Sequence, residues 1–537
     1  MGNTFYVETN GISGHVFPAG EYQVRLQYLN SDSNVCYSNT VSFSLVEPGT
    51  TIALSGFGTE ESPYLIQSSA DLKLLSDEVK SGKTFADTYF AITNDIDLSS
   101  YTYWQPIGDF LVNAEVKDYA SPYLGLAYIF IPSMFQGKID GKEHTISHLT
   151  TEGALSAQNF DFNGLFGVVG PGAVIQNIKL TDVSVSSNAG WYTGGLIGGI
   201  YCYFGLGSDS VIIENCHVEG EINGNGGLIG RAYSDLAPIH ISGCSVDISG
   251  VVDGGLIGEI FAPDISVLSS SSKTSQTSKI NSGLINMIIG KGSILISDCY
   301  STGYAVSAGL IDSICSQGGG LSVPITIKNS YSTVTVEDGS GLIDSAYTSE
   351  SNVLISIKNS VALNPSVSGE YSSARTIDYT SYNEGDSLIT TSGIYALSTM
   401  ISDATDGIDL SPTDAVTQTF YEDTLGWDFD TVWKMDSSVS PYPILQQIST
   451  SEPVEEYTIT FDSNGGTGSM TSATVFAGES YILPDCTFTA PEGKVFKAWL
   501  IGSTEYDAGT PYTPTASVTV KAVWTTEDTT APGSFHH

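Results

Sequence analysis

Through the middle of the chain, apolar and polar residues alternate in short runs that recur. Val211-Ile212-Ile213-Glu214-Asn215-Cys216, Ile239-His240-Ile241-Ser242-Gly243-Cys244, Ile294-Leu295-Ile296-Ser297-Asp298-Cys299, Ile325-Thr326-Ile327-Lys328-Asn329-Ser330 and Leu354-Ile355-Ser356-Ile357-Lys358-Asn359-Ser360 share one pattern. Period-two alternation of β-branched residues predicts half-buried strands. A second pattern runs in phase with the first. Gly164-Leu165-Phe166-Gly167, Gly195-Leu196-Ile197-Gly198, Gly227-Leu228-Ile229-Gly230 and Gly255-Leu256-Ile257-Gly258 are followed by shorter copies at Gly283-Leu284-Ile285, Gly309-Leu310-Ile311 and Gly341-Leu342-Ile343, spaced 26 to 32 residues apart. No helical pattern separates the strands. A period near 30 has room for two or three short strands but not for a βα unit. Stacking such turns pairs each strand with its equivalent about 4.8 Å away. The fold class predicted is all-β: a right-handed parallel β-helix, or solenoid. Its glycines are expected at corners that need positive φ or close backbone approach.

The flanks break this period. Ala70–Lys80 is amphipathic, with Ser69 expected as N-cap and Gly82 just past its end. This short helix is expected to cover the N-terminal end of the solenoid, where strand edges would otherwise lie open. Residues 3–48 carry two alternating runs, Glu21–Leu29 and Thr40–Val46. They suggest part of an immunoglobulin-like sandwich or a small β module, since a whole sandwich needs about 100 residues. Ser449–Glu456 is a polar linker. Beyond it, Tyr457–Phe461 reads as a strand followed by an Asn464-Gly465 turn, and Phe461, Phe496, Trp499 and Trp524 are the expected core. The divisions expected are 1–49, 50–448, 449–456, 457–526 and a tail at 527–537.

The Gly-Gly-Leu-Ile-Gly copies resemble the GLUG repeats of prokaryotic surface proteins. Gly58-Thr59-Glu60-Glu61-Ser62-Pro63-Tyr64-Leu65-Ile66, Tyr89–Leu98, Trp104-Gln105-Pro106-Ile107-Gly108 and Phe135–Gly141 resemble the segment that precedes them. Gly426–Trp433 and Pro441–Leu445 resemble that family's closing segment, which implies a place at the far end of the solenoid. Residues 457–526 resemble the Listeria–Bacteroides, or internalin B-type, repeat. That resemblance implies a small β-grasp module used in series in surface proteins, with Ala498 departing from a common Gly before the Trp.

Charge narrows the partners. Lys and Arg number 19 against 59 Asp and Glu, a formal charge of −40. With only Arg25, Arg231 and Arg375 as arginines, nucleic acid is disfavoured, because phosphate binding needs clustered cations. Anionic membrane surfaces are disfavoured for the same reason. No apolar run reaches the ~18 residues of a membrane span. Absence of a signal peptide after Met1 suggests a fragment of a longer extracellular, cell-surface protein without its leader and anchor.

Candidate chemistry is sparse. Immunoglobulin A proteases also carry GLUG repeats, and a zinc peptidase would need His-Glu-x-x-His on a helix. The nearest match, His144 and His148 after Glu143, has the Glu on the wrong side and falls on a strand. Glycan cleavage would need two carboxylates about 5–10 Å apart. Asp95 with Asp97, and Asp428 with Asp430, share strand faces and are candidates for that role or for calcium, although two ligands are few. The glycine motifs lack the Gly-Lys-Ser/Thr ending of a phosphate loop. An ice-binding face would need a regular Thr array, and Thr333-Val334-Thr335-Val336 is a single instance. Cys216, Cys244 and Cys299 share one repeat phase and are expected as an inward ladder of small core residues, although Cys216 and Cys244 on adjacent turns would be close enough for a disulfide. Aromatic stretches supply candidate contact patches: Trp191, Tyr192, Tyr201 and Tyr203 in one, Tyr101, Tyr103, Trp104 and Tyr128 in another. The function expected is non-catalytic: an adhesin binding a glycan or protein of a host or neighbouring cell, with no obligatory cofactor. A glycan-active lyase or hydrolase, or the glycan-binding region of a larger enzyme, is the alternative.

Overall fold

A computed structural model describes residues 20–24, 27–29, 35–37, 41–45, 52–112, 130–151, 162–186, 192–202, 207–262, 264–275, 279–290, 293–316, 324–348, 354–368, 374–378, 388–446, 456–470, 472–476 and 481–526. The chain divides into two units, Met1–Gln447 and Ile448–His537.

The first unit is built around a parallel β-solenoid with three faces, one strand on each in the turns before Ile265; in the next turns the second-face strand is split in two, as in Ser271–Thr274 and Lys279–Ser282. One turn shows the plan. Val211–Glu214 forms the first face, His217–Gly226 the second and Ile229–Ser234 the third. Each pairs in parallel with its equivalent in the next turn, Ile239–Ser242, Ser245–Gly254 and Ile257–Ala262. The third face is a seven-stranded sheet running from Phe166–Val169 to Ile343–Thr348. Each of its strands starts on the aliphatic or aromatic residue right after a Gly-Leu pair, as the period predicts.

Inward columns make the core. Ile175, Ile213, Ile241, Val267, Ile296, Ile327 and Ile357 occupy one position in successive turns, and all are buried. Burying each aliphatic side chain contributes about 1.5–3 kcal/mol. Two kinds of corner separate the faces. The corner between the first and second faces is left-handed, at Asn177, Asn215, Gly243, Ser269, Asp298, Asn329, Asn359 and Gly393. Asn and Asp tolerate that conformation and bond locally. Here their amides also link turns: Asn177 Nδ2 donates to Asp140 Oδ1 at 2.9 Å and Asn215 Nδ2 to Asn177 Oδ1 at 3.3 Å. The Gly-Leu corner works differently. Gly227 and Gly255 do not need positive φ; a Cβ on Gly255 would lie 2.0 Å from the Gly283 carbonyl oxygen. Stacked backbone, not handedness, demands glycine there.

Right after six of these left-handed corners comes an inward ladder of small side chains, Cys216, Cys244, Ser270, Cys299, Ser330 and Ser360, while Ile178 and Ile394 follow the first and last corners; all are buried. Each ladder member donates to the carbonyl two residues back, Cys244 Sγ to Ser242 at 3.3 Å and Ser330 Oγ to Lys328 at 2.8 Å, for example. The cysteines of this ladder are free thiols, so adjacent Cys216 and Cys244 are not bridged.

The helix spans Ser69–Lys80 and is capped by Ser68, one residue before the expected Ser69. The Ser68 hydroxyl accepts the Asp71 N–H at 3.3 Å, and Asp71 Oδ2 accepts the Gln67 N–H at 3.0 Å. Leu72, Leu75 and Val79 are buried in the same core as the first turns, so the helix fills that end. At the other end, among the described residues, the third face continues past Ile343–Thr348 only as the isolated Ile343–Ile377 bridge. There Asp406 accepts the N–H groups of Arg375 and Thr376 at 2.7 and 2.8 Å in place of backbone carbonyls.

Two expectations are corrected. Glu21–Leu29 is not one strand: Gly20–Val24 pairs with Val41–Leu45, while Gln27–Leu29 pairs with Val35–Tyr37. The segment around Trp427 and Trp433 does not close the far end but lies along the second face. Trp433 Nε1 donates to Asp298 Oδ1 at 3.0 Å and Trp427 Nε1 to the Asn359 carbonyl at 2.9 Å. The reason is visible in the outward column of that face. It reads Lys179, His217, Ser245 and Ser271, then Tyr300, Tyr331, Val361 and Tyr395. The later members are apolar and bury themselves only if covered.

The second unit carries a mixed five-stranded sheet of Ala473–Phe476, Glu456–Asp462, Val518–Thr526, Lys494–Ile501 and Thr504–Tyr506, in that order. Trp499 is fully buried at its centre, with Phe461 and Phe496 against it at 5.2 and 4.9 Å; Phe496 in turn meets Trp524 at 6.1 Å.

Candidate functional site

The third face presents an aromatic cluster that the stacking itself assembles. Tyr201, Tyr233 and Phe261 occupy one outward column. Their rings stack: Tyr201 on Tyr233 at 6.3 Å, and Tyr233 on Phe261 at 4.6 Å with planes 15° apart. Next to them Tyr192 stacks on Phe162 at 5.2 Å. Arg231 sits between the two groups, with its guanidinium 5.0 Å from the Tyr192 ring centre and 5.7 Å from that of Tyr233. It also bonds the Tyr192 hydroxyl, and its Nε lies 3.2 Å from Glu259 Oε2. Burial pushes the Tyr233 hydroxyl's pKa up, and Asp235 pushes it further. The aromatic faces are largely taken up by one another, which leaves ring edges, hydroxyls and a neutralised Arg–Glu pair toward the surface.

The predicted aromatic residues divide. Trp191, Tyr203 and Tyr128 lie outside the described residues. Tyr192 and Tyr201 join the cluster above, Tyr192 half-buried and Tyr201 buried. Trp104 is buried and donates from Nε1 to the Leu165 carbonyl at 3.1 Å; Tyr101 packs edge-on against it and donates to the Ser69 carbonyl. Tyr103 is exposed. Phe162, Arg231, Tyr233 and Phe261 were absent from the sequence-based set. Tyr201, Tyr233 and Phe261 each fall four residues after the first residue of their strand, so aligning the repeats would have found the column.

Three of the four acidic candidates are engaged by neighbouring groups. Asp95 Oδ1 accepts the Thr145 N–H at 2.9 Å and pairs with His144 Nδ1 at 3.1 Å, while Asp97 pairs with His148 Nδ1 at 3.0 Å. Both carboxyls are held below the usual range, Asp95 first by the Thr145 N–H and Asp97 first by that of Ser99. Asp428 closes a turn by accepting the N–H groups of Asp430 and Thr431 at 2.8 and 2.9 Å, and Asp430 is exposed. Among the described residues no group of three or more His, Cys, Asp or Glu side chains converges as a metal site would.

Another acidic array was not anticipated. The fourth position of the glycine motif is Gly167, Gly198, Gly230 and Gly258 in the complete copies, but Asn286, Asp312 and Asp344 in the shortened ones, with Asp378 next in register. Burial, then the neighbouring Asp312, pushes the Asp344 carboxyl up to about 7; Asp378 and Asp338 add to this while the Ser340 hydroxyl opposes it. Burial also raises Asp312 and Asp253.

These features define a class: a three-sided parallel β-solenoid with an aromatic outer cluster, joined in sequence to a small β module. Residues 457–523 match the family described as the Listeria-Bacteroides repeat domain. Halomucin of Haloquadratum walsbyi is 32% identical over 193 residues, which covers 34% of this chain and 2% of halomucin. A protein of Evansella cellulosilytica named "Putative Gly-rich membrane protein" is 26% identical over 227 residues, covering 36% of this chain and 22% of that protein. The chain therefore spans only a small part of these relatives' lengths. A crystal structure titled as a "putative immunoglobulin A1 protease" from Bacteroides ovatus aligns over 73% of this chain and 94% of its own, at 17% identity and a TM-score of 0.36. No helix among the described residues is long and apolar enough to cross a membrane.

Proposed function

We propose that this chain is part of a prokaryotic cell-surface protein and acts as a non-catalytic adhesin. The GLUG character of the repeats and a β-grasp reading of the C-terminal module belong to this proposal. In it the solenoid is a rigid scaffold, and the third face with its flanking loops meets a partner on a host or neighbouring cell. The observation that carries it is the Tyr192–Arg231–Tyr233–Phe261 cluster, an aromatic and arginine-bearing surface of the kind that anchors interfaces. The ring geometry favours a protein partner over a sugar. A pyranose needs an open aromatic face to stack upon, and here the rings stack on each other. The relatives' names, halomucin and a Gly-rich membrane protein, agree with a surface location. The test is a protein and glycan binding array run beside an assay for release of reducing ends. Binding without release, lost in Tyr233→Ala, supports the adhesin. Release of reducing ends in the absence of stable binding refutes it in favour of a glycan-active enzyme.

A further inference from the structure

We infer that residues 411–446 are a tension clamp that shields the last turns of the solenoid from being pulled open. Among the described residues the stacked strands end at Ile408–Leu410, which pairs with Tyr395–Leu397, is tied to Arg375 through Asp409 at 2.8 Å, and leaves Ile408 53% exposed. A chain pulled directly from Leu410 would peel three residue pairs from an open edge. Instead the chain doubles back along the second face. Phe420 meets the Tyr395 ring edge-on at 5.1 Å, and Trp427 lies on Tyr331 at 6.2 Å. Trp433 stacks on Trp427 at 4.6 Å, touches Tyr300 and Tyr331, and reaches Asp298, 135 residues earlier. The Tyr331 hydroxyl donates to the Pro443 carbonyl at 2.7 Å.

The exit is tied into the same cluster. Ile444–Leu445 pairs with Trp433–Lys434. The Gln446 side-chain amide donates to the Trp433 and Phe429 carbonyls at 2.7 and 3.1 Å, and its N–H donates to Val432 at 2.8 Å. The polypeptide then continues toward the C-terminal module. Tension arriving at Gln447 thus meets Trp433, Trp427 and Tyr331, over interior turns, before it can reach Leu410. Trp427, Trp433 and Tyr331 are all fully buried. The outward column of the second face becomes aromatic only beneath this segment, at Tyr300 and Tyr331, so both partners of the clamp are written into the sequence. Compactness alone would not require the chain to return over four strands.

The test is force spectroscopy on the full chain held by its two ends. In the native protein the first event within the solenoid unit should be release of the clamp. It should free roughly 120 Å of chain, at about 3.4 Å per residue between Leu410 and Gln446. Turns should then unwind at that force or lower. In Trp433→Ala the release force should fall by roughly half or more, since forced unfolding follows the barrier to rupture. If that variant does not fold, Trp433→Leu, which keeps an apolar filler but loses the ring stacking and the N–H, should show a smaller fall. Turns unwinding before the clamp opens, or a release force unchanged in the variant, would overturn the inference.

Discussion

Replacing Asp344 by Asn should stabilise the protein at pH 8 and leave it nearly unchanged at pH 4. Asp344 stands in a column of carboxyls between Asp312 and Asp378, partly withdrawn from water. Burial and these like charges raise its folded pKa from the ordinary 3.8 to about 7. Below about 3.8 the group is protonated whether folded or unfolded, so it costs nothing. Between 3.8 and 7 the folded protein holds a proton that the unfolded chain releases, and stability falls as pH rises. Above 7 the cost is complete. At about 1.36 kcal/mol per pKa unit the shift corresponds to at most about 4 kcal/mol, and solvent screening at this partly exposed site reduces it to roughly 2 kcal/mol. Asn removes the charge but keeps an oxygen for the Ser340 hydroxyl, which lies 3.3 Å from Oδ1. The column already tolerates the change, because Asn286 fills the same position one turn before Asp312. Urea denaturation of both proteins at pH 4 and pH 8 measures the difference. A gain of the same size at both pH values, or a loss at pH 8, would refute the reasoning.

Substitutions at three further positions probe the scaffold. Gly255→Ala forces a Cβ to within 2.0 Å of the Gly283 carbonyl oxygen, and unfolding measurements should show a loss of about 3 kcal/mol or more. Asp406→Ala leaves the Arg375 and Thr376 N–H groups without their acceptor and should cost about 2–3 kcal/mol; hydrogen exchange at those two amides should rise first. Cys244→Ser should lie within about 1 kcal/mol of the native protein, because Ser270, Ser330 and Ser360 make the same bond to the carbonyl two residues back, whereas Cys244→Ala should lose about 1 kcal/mol more. Burial pushes the Cys299 thiol up to about 12, so thiol reagents at pH 8 should label it only on unfolding.

What could be read from the sequence follows from which side of the strand a residue faces. Inward positions repeat because every turn must fill the same interior, so Ile213, Ile241, Ile296 and Ile327 announced the strands and Gly-Leu pairs announced the third face. The recurring strand pattern missed Val174–Gln176, Ile265–Leu268 and Leu388–Leu397. Ile265–Leu268 is followed by Ser269 and Ser270, not Asn or Gly and then Cys. Serine performs both tasks there, a left-handed corner at φ 44° and an inward hydroxyl bonded to the Leu268 carbonyl at 2.7 Å, so the chemistry repeats while the letters differ. The candidate site was less legible. Tyr192 and Tyr201 were found as local aromatic density, but Arg231 and Phe261 belong with them only through register across turns about 30 residues apart.

The same division accounts for where this protein's individuality lies. An inward column cannot change without leaving a cavity or a clash, so it stays uniform from turn to turn. An outward column is free, and each face uses that freedom differently. The second face is polar until Ser271 and aromatic from Tyr300, where the chain returns to cover it. The third face is aromatic from Tyr201 to Phe261, then gains Asp312 and Asp344 at its leading edge. A formal charge of −40 is therefore not an even coat. Part of it is concentrated in a carboxyl column whose repulsion the uniform interior can bear, because the cost at Asp344, roughly 2 kcal/mol after screening, is comparable to what one buried aliphatic side chain supplies. A repetitive core is what makes a non-repetitive surface affordable, and selection for binding or for resistance to force can act on the outward columns one turn at a time.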